Sequence, residues 1–157
     1  MEYIEKIGDL TESIGFRFDN GPEEIPHFIV HGCNCEHTMG AGIALQMAQK
    51  FDADRYELKY PSPGKISIFP ITNITFGINA YTQTKPGPFA TYENIIECLE
   101  EINRLAAGKR VAFPAIGCGI GGLQWPVVRA LIRDGMKDAK SVTIYFLNEE
   151  EKQKLEQ

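Results

Sequence analysis

Two glycine-rich stretches constrain this chain more than anything else in it: Thr38-Met39-Gly40-Ala41-Gly42 and Ile116-Gly117-Cys118-Gly119-Ile120-Gly121-Gly122. The first follows the apolar run Phe28-Ile29-Val30-His31, the second follows Val111-Ala112-Phe113, and each precedes a helix-like segment. A strand, a turn without side chains and a helix start leave backbone N–H groups pointing outward, and such a place holds phosphate without a positive charge. Two of them suit the two ends of a diphosphate. A plain turn needs only one or two glycines, because each further one costs backbone entropy on folding. Gly117, Gly119, Gly121 and Gly122 in one loop therefore point to a ligand. No Gly-Lys-Ser/Thr follows either loop, which excludes a P-loop. Neither loop reads Gly-x-Gly-x-x-Gly with an acid at the required distance, which disfavours a dinucleotide-binding Rossmann domain.

The rest of the pattern alternates strands with helices. Strand-like runs occur at Tyr3–Lys6, Phe28–Cys33, Ile66–Ile71, Phe76–Tyr81, Val111–Phe113 and Val142–Phe146. Thr72-Asn73 and Gly77 between the middle pair predict a hairpin, hence an antiparallel portion. Ile43, Met47 and Phe51, with Ala44 and Ala48, mark one helical stripe. Ile95, Leu99, Ile102 and Ala106 mark a second, with Thr91 as its N-cap and Glu93 in its first turn. Val128, Leu131 and Ile132 mark a third, with Trp125 ahead and Pro126 in the first turn. The acidic run Glu149–Lys154 reads as a solvated helix or frayed tail. This predicts one α/β domain over residues 1–157, a three-layer α/β/α sandwich around a mixed central sheet. The glycine loops then lie at the carboxyl ends of strands, where open α/β sheets bind ligands.

The 157 residues carry 16 basic and 21 acidic side chains, a formal net charge of −5. A sequence-independent nucleic-acid binder needs many Lys and Arg contacts to phosphate, so bulk nucleic acid is not the expected partner. No apolar run is long enough to span a bilayer, and the N-terminus lacks a signal peptide's layout. The four cysteines make no disulfide framework. A cytoplasmic monomer is the expectation.

Other residues admit a functional and an ordinary reading. His31, Cys33 and Cys35 alternate and share one strand face, a geometry zinc could use with Cys118 or His37. Without a Cys-x-x-Cys pair, the ordinary reading of Cys33 and Cys118 as small buried residues is preferred, and no metal is expected. A Cys35 or Cys118 thiolate nucleophile is disfavoured, since a dense glycine loop suits phosphate better than an acyl group. Asn34, just before the first loop, can fix a ribose hydroxyl or water, or serve as a turn residue. Asp9, in Gly8-Asp9-Leu10-Thr11, can cap a turn or accept a hydrogen bond from a base amine. Phe146 can stack on a base or pack in the core.

Together these residues resemble a macro domain, the ADP-ribose-binding α/β/α module, over nearly the whole chain. Gly8-Asp9-Leu10 is similar to the family's N-terminal motif, whose Asp contacts the adenine amine. His31-Gly32-Cys33-Asn34-Cys35 followed by Met39-Gly40-Ala41-Gly42-Ile43-Ala44 resembles its strand and first loop, with Asn34 at the distal-ribose asparagine. Pro114–Gly119 resembles the diphosphate loop. Thr91-Tyr92-Glu93-Asn94 and Leu123-Gln124-Trp125 look like the branch that includes terminal ADP-ribose protein glycohydrolase and the yeast-type ADP-ribose 1''-phosphate phosphatase. In the glycohydrolase a lysine and an aspartate carry the chemistry, and ungapped matching places Gln83 and Gly121 there. The phosphatase branch has a histidine in a His-x-Cys-Asn-Cys run, which this chain keeps at His31, and an aspartate near the last strand, matched by Asp138. The resemblance thus implies binding of ADP-ribose and hydrolysis of ADP-ribose 1''-phosphate, with His31, Asn34 and Asp138 catalytic. Asp9, Leu10, Asn34, Gly40, Ala41, Gly42, Ile43, Ile116, Gly117, Cys118, Gly119, Ile120, Gly121 and Phe146 would bind ligand, and no cofactor is needed. A non-catalytic reader, or a hydrolase acting on ADP-ribosylated protein or nucleic acid, is the alternative.

Overall fold

The computed structural model describes residues 1–15 and 24–157. Six strands form one sheet: β1 (Glu2–Ile7), β2 (Phe28–Cys33), β3 (Ile66–Pro70), β4 (Phe76–Tyr81), β5 (Arg110–Phe113) and β6 (Ser141–Phe146). Their order is β1-β6-β5-β2-β4-β3. All neighbours run parallel except β3 and β4, which pair antiparallel through the hairpin at Thr72–Thr75. Four helices complete the set: α1 (Gly42–Phe51), α2 (Tyr92–Leu105), α3 (Trp125–Gly135) and α4 (Glu149–Glu156). A short 3-10 turn at Leu10–Glu12 and another at Ala53–Tyr56 join α1 on its face of the sheet.

Strand alternation divides the core in two. Val30, Ile78, Val111, Phe113, Val142, Ile144 and Phe146 face α2 and α3, where they meet Ile95, Leu99, Ile102, Trp125, Val128 and Ile132. Ile29, Cys33, Phe69, Tyr81 and Ala112 face the other way, against Leu10, Met39, Met47 and Ala53. The predicted three-layer sandwich with a mixed sheet is therefore the observed one. Local signals place the helix ends: the Thr91 hydroxyl accepts the Asn94 N–H, Pro126 sits in the first turn of α3, and the Asn148 side chain caps α4. Because β1, β2, β4, β5 and β6 are mutually parallel, the loops that follow them gather at one end of the sheet.

Candidate functional site

That end carries a continuous crevice made of three adjoining cavities, of about 270, 210 and 240 Å³. The central one lies between the two glycine loops, lined by Ala41, Gly42 and Ile43 on one side and by Ile116, Gly117, Gly119, Ile120 and Gly121 on the other. The second continues past Ala41 and Gln83 to Gly40, Asn34, Thr38 and Gly87. The third continues past Gly42, Pro114 and Glu151 to Asp9, Leu10, Tyr145 and Leu147.

The floor is main chain, and at Gly117 and Gly121 the packing leaves no room for a side chain. Gly117 has φ of +76°, and a Cβ there would meet Leu123 at 3.0 Å. A Cβ on Gly121 would lie 2.6 Å from the Gly117 carbonyl oxygen and 3.0 Å from Ala90. At Gly40 and Gly119 a Cβ would touch nothing within 4 Å, so it would project into open space. The loop is closed on itself by Leu123 N–H to Gly117 O at 2.9 Å and Cys118 N–H to Ala115 O at 3.1 Å.

Two ends of different character flank this floor. One is largely apolar with two carboxylates: Leu10, Ile43, Pro114, Tyr145 and Leu147 line it together with Asp9, Gln46 and Glu151. Asp9 does cap its turn, accepting the Thr11 N–H at 2.9 Å and the Thr11 hydroxyl at 2.7 Å, with Lys50 3.8 Å away. The other end is polar. The Asn34 amide donates to Thr38 O at 3.0 Å and accepts the Glu36 N–H at 2.8 Å, which fixes the entry to the first glycine loop. Gln83 donates to the Lys85 and Gly87 carbonyls, both at 2.8 Å. The Cys35 N–H to Thr84 O bond, at 3.2 Å, ties these two loops together.

Of the residues expected from sequence, Asp9, Leu10, Asn34, Gly40, Ala41, Gly42, Ile43, Ile116, Gly117, Gly119, Ile120 and Gly121 line the crevice. Four others do not. His31 is fully buried on the α1 face, its Nε2 2.5 Å from Asn79 Oδ1 and its ring edge-on to Phe69. Burial lowers its pKa to about 4, so the imidazole is neutral. The strand's two-residue period is the cause: Gly32, one position on, is the residue that lines the crevice. Asp138 lies just before β6, at the opposite end of the parallel strands, where it pairs with Asn103 at 2.9 Å. Phe146 is buried against Trp125, ring centroids 5.5 Å apart at 88°. Cys118 turns its side chain into the core, and burial pushes its thiol up to about 12, which removes a thiolate. Among the described residues, no three His, Cys, Asp or Glu side chains come together as metal ligands.

Sequence reasoning missed Tyr145, Leu147 and Glu151, which line the crevice, and did not weigh Lys85, which lies beside it. Tyr145 and Leu147 have the parity opposite to Phe146, and that alternation was visible in the sequence. Glu151 was signalled by the Asn148-x-x-Glu151 spacing of a capping box: Asn148 accepts the Glu151 N–H at 2.8 Å, and Glu151 Oε2 accepts the Leu147 N–H at 2.8 Å. Lys85 is an exposed lysine on the loop whose Gln83, Pro86 and Gly87 line the crevice, with its ammonium 4.3 Å from the Phe89 ring centroid.

Residues 30–132 match the model of the family described as the Macro domain. A 17.5 kDa protein of enterobacteria phage T4, from the tk-vs intergenic region, is 31% identical over 118 residues, which cover 66% of this chain and 76% of that protein. The ADP-ribose glycohydrolase OARD1 of Bos taurus is 27% identical over 124 residues, 76% of this chain and 81% of that protein. The macrodomain of Thermus aquaticus DarG superposes with a TM-score of 0.71 at 22% identity, covering 92% of this chain and 97% of that one. The crevice, the sheet order that builds it and the family match over its two glycine loops agree, and this chain belongs to the macro domain family.

Proposed function

We propose that this chain binds ADP-ribose and hydrolyses bonds at the anomeric carbon of its distal ribose. The observation that carries the binding is the crevice floor, two facing glycine loops between an apolar end and a polar end. A diphosphate lies on the loop amides. Adenine enters the apolar end, with its exocyclic amine toward Asp9, and the distal ribose enters the end held by Asn34 and Gln83. The similarity to an ADP-ribose glycohydrolase supports the same ligand.

ADP-ribose 1''-phosphate is one substrate of this kind and an ADP-ribosylated macromolecule is another. With His31 inside the sheet packing, acid–base work by that residue is not part of the reaction. Gly121, matched to the glycohydrolase's aspartate, has no space for a carboxylate. The amine of Lys85, two residues beyond the matched Gln83 and on the same loop, is the nucleophile of this reading. Its nitrogen bonds to the anomeric carbon as the bond from that carbon to the phosphate or acceptor breaks, and the leaving group takes a proton from water. A second water then replaces the amine at the same carbon to give free ADP-ribose and regenerate Lys85. The loop amides and Asn34 hold the sugar while the leaving group departs.

Calorimetry with ADP-ribose tests the binding. Turnover is read as phosphate release from ADP-ribose 1''-phosphate and, separately, as ADP-ribose release from a mono-ADP-ribosylated acceptor. Lys85→Ala is expected to bind ADP-ribose as the parent does and to lose turnover on both substrates. Tight binding with no turnover on either substrate by the parent chain makes the protein a reader instead.

A further inference from the structure

The crevice holds one charged side chain that the binding just described does not use. Four residues belong to both the central cavity and the apolar end: Gly42, Ile43, Pro114 and Glu151. Of these only Glu151 has a polar side chain. The boundary between a diphosphate floor and a base-binding end is where the intervening ribose of an adenosine diphosphate must lie. Resting on that placement, we propose that Glu151 reads the adenosine-side ribose, accepting hydrogen bonds from its free hydroxyls and rejecting a ribose that carries a 2'-phosphate.

The local structure fits this task. Glu151 is the third residue of α4, and the Asn148 cap together with the Leu147 N–H to Oε2 bond fixes its carboxylate. Oε1 has no partner among the described residues, leaving an acceptor for a hydroxyl. Among the described residues, the neutral polar side chains lining the apolar end are Gln46 and Tyr145, and the neighbouring cation, Lys50, is already engaged by Asp9 at 3.8 Å and by the Thr11 hydroxyl at 2.7 Å. Among the described residues no lysine or arginine lines either cavity, Asp9 adds a second carboxylate at the apolar end, and Glu149 and Glu150 precede Glu151 on the same helix turn. The diphosphate itself is held by main-chain N–H groups on the floor, so its binding does not call for a cation at this boundary. A ribose 2'-phosphate has no such floor and faces the carboxylate directly. Rejection of this kind is achieved by an unfavourable charge contact rather than by a lost attractive one.

The test is calorimetry on the full chain and on Glu151→Gln with ADP-ribose and with 2'-phospho-ADP-ribose. Glutamine keeps the length and the acceptor for Leu147 N–H and removes the charge, and a thermal melt of the variant checks its fold. The parent chain is expected to bind the 2'-phosphorylated ligand about tenfold or more weakly than ADP-ribose, a difference of about 1.4 kcal/mol. In Glu151→Gln the gap is expected to close to within about threefold, mainly through a gain for the phosphorylated ligand. Equal affinity of the parent chain for both ligands overturns the proposal while leaving ADP-ribose binding intact, as does a gap that persists in Glu151→Gln. Failure of the parent chain to bind either ligand overturns both the binding and the role of Glu151.

Discussion

Gly119 and Gly121 lie two residues apart in one loop, both line the crevice, and a methyl group on each is expected to do opposite things. At Gly121 the added Cβ sits 2.6 Å from the Gly117 carbonyl oxygen and 3.0 Å from the Ala90 Cβ, so the loop has to move. Both obstacles belong to the loop backbone or to a short side chain and cannot swing aside. Overpacking of this sort costs about 1–3 kcal/mol, and a chain of this size loses about 2–4 °C of Tm per kcal/mol. Gly121→Ala is therefore expected to melt roughly 2–12 °C below the parent chain. At Gly119 the Cβ meets no protein atom within 4 Å and φ is not in the left-handed region, so stability stays within about 0.5 kcal/mol. The methyl group instead projects into the open space of the crevice that Gly119 lines, where the proposed reading puts the phosphate. Displacing a phosphate oxygen from one such N–H removes a charged hydrogen bond of about 1.5–3 kcal/mol. ADP-ribose affinity in Gly119→Ala should fall by about ten- to a hundredfold. The assay pairs differential scanning calorimetry of both variants with titration calorimetry of Gly119→Ala. Unchanged affinity in Gly119→Ala refutes the amide floor as the phosphate site, and an unchanged Tm in Gly121→Ala refutes the packing argument for a bare position 121.

Two further outcomes test the corrected residues. His31 has its folded pKa lowered from 6.5 to about 4, so its contribution is fully present above pH 6.5 and is lost as pH falls toward 4. At 1.36 kcal/mol per unit this is about 3 kcal/mol, with His27 shifted in the same direction by burial and by Arg110, Lys109 and Lys140. Urea midpoints between pH 7 and 4 should show the loss, and His31→Gln should flatten most of it. Phe146→Ala should cost about 3–5 kcal/mol in urea unfolding because it empties the space beside Trp125. Leu147→Ala, 58% exposed at the apolar end, should leave stability nearly untouched and weaken ADP-ribose binding several-fold by titration calorimetry.

The fold was legible because each of its elements carries a local signal that agrees with the global arrangement. The hairpin turn lies between two apolar runs, Thr91 and Pro126 mark the starts of α2 and α3, and the strand–loop–helix order gathers the glycine loops at one end. The site was legible where recognition is by main chain, since glycine density reports backbone exposure directly. It was not legible where a side chain's direction decides. In a sheet covered on both faces, each parity of a strand is buried, so alternation alone does not say which residues face a ligand. Phe28, Val30 and Gly32 face α2 and α3, Ile29, His31 and Cys33 face α1, and both sets are apolar enough to read as core. His31 is therefore indistinguishable in sequence from a residue one step nearer the cleft. Asp138 failed for a different reason, position along the strand rather than around it. It lies where β6 begins, while the crevice lies where β6 ends.

An acidic chain that is to hold the doubly charged ligand proposed for it needs an attraction that its side chains do not supply. Among the described residues, the central cavity is lined by Glu151 and by no lysine or arginine. The compensating charge is partial and fixed, in N–H groups that the strand-to-helix turns already hold in place, so none of it requires ordering a long side chain on binding. This accounts for the glycines as a set. At Gly117 and Gly121 a side chain would break the loop's own packing, and at Gly40 and Gly119 it would project into open space at the crevice that both residues line. It also accounts for the acids around the apolar end. On the proposed reading, with the diphosphate held by dipoles that act over a few ångströms, carboxylates at Asp9 and Glu151 would recognise an amine and hydroxyls without cancelling the phosphate site. A cluster of lysines would bind any polyphosphate. A dipole floor with carboxylates at one end favours a diphosphate whose group on that side is a neutral hydrogen-bond donor.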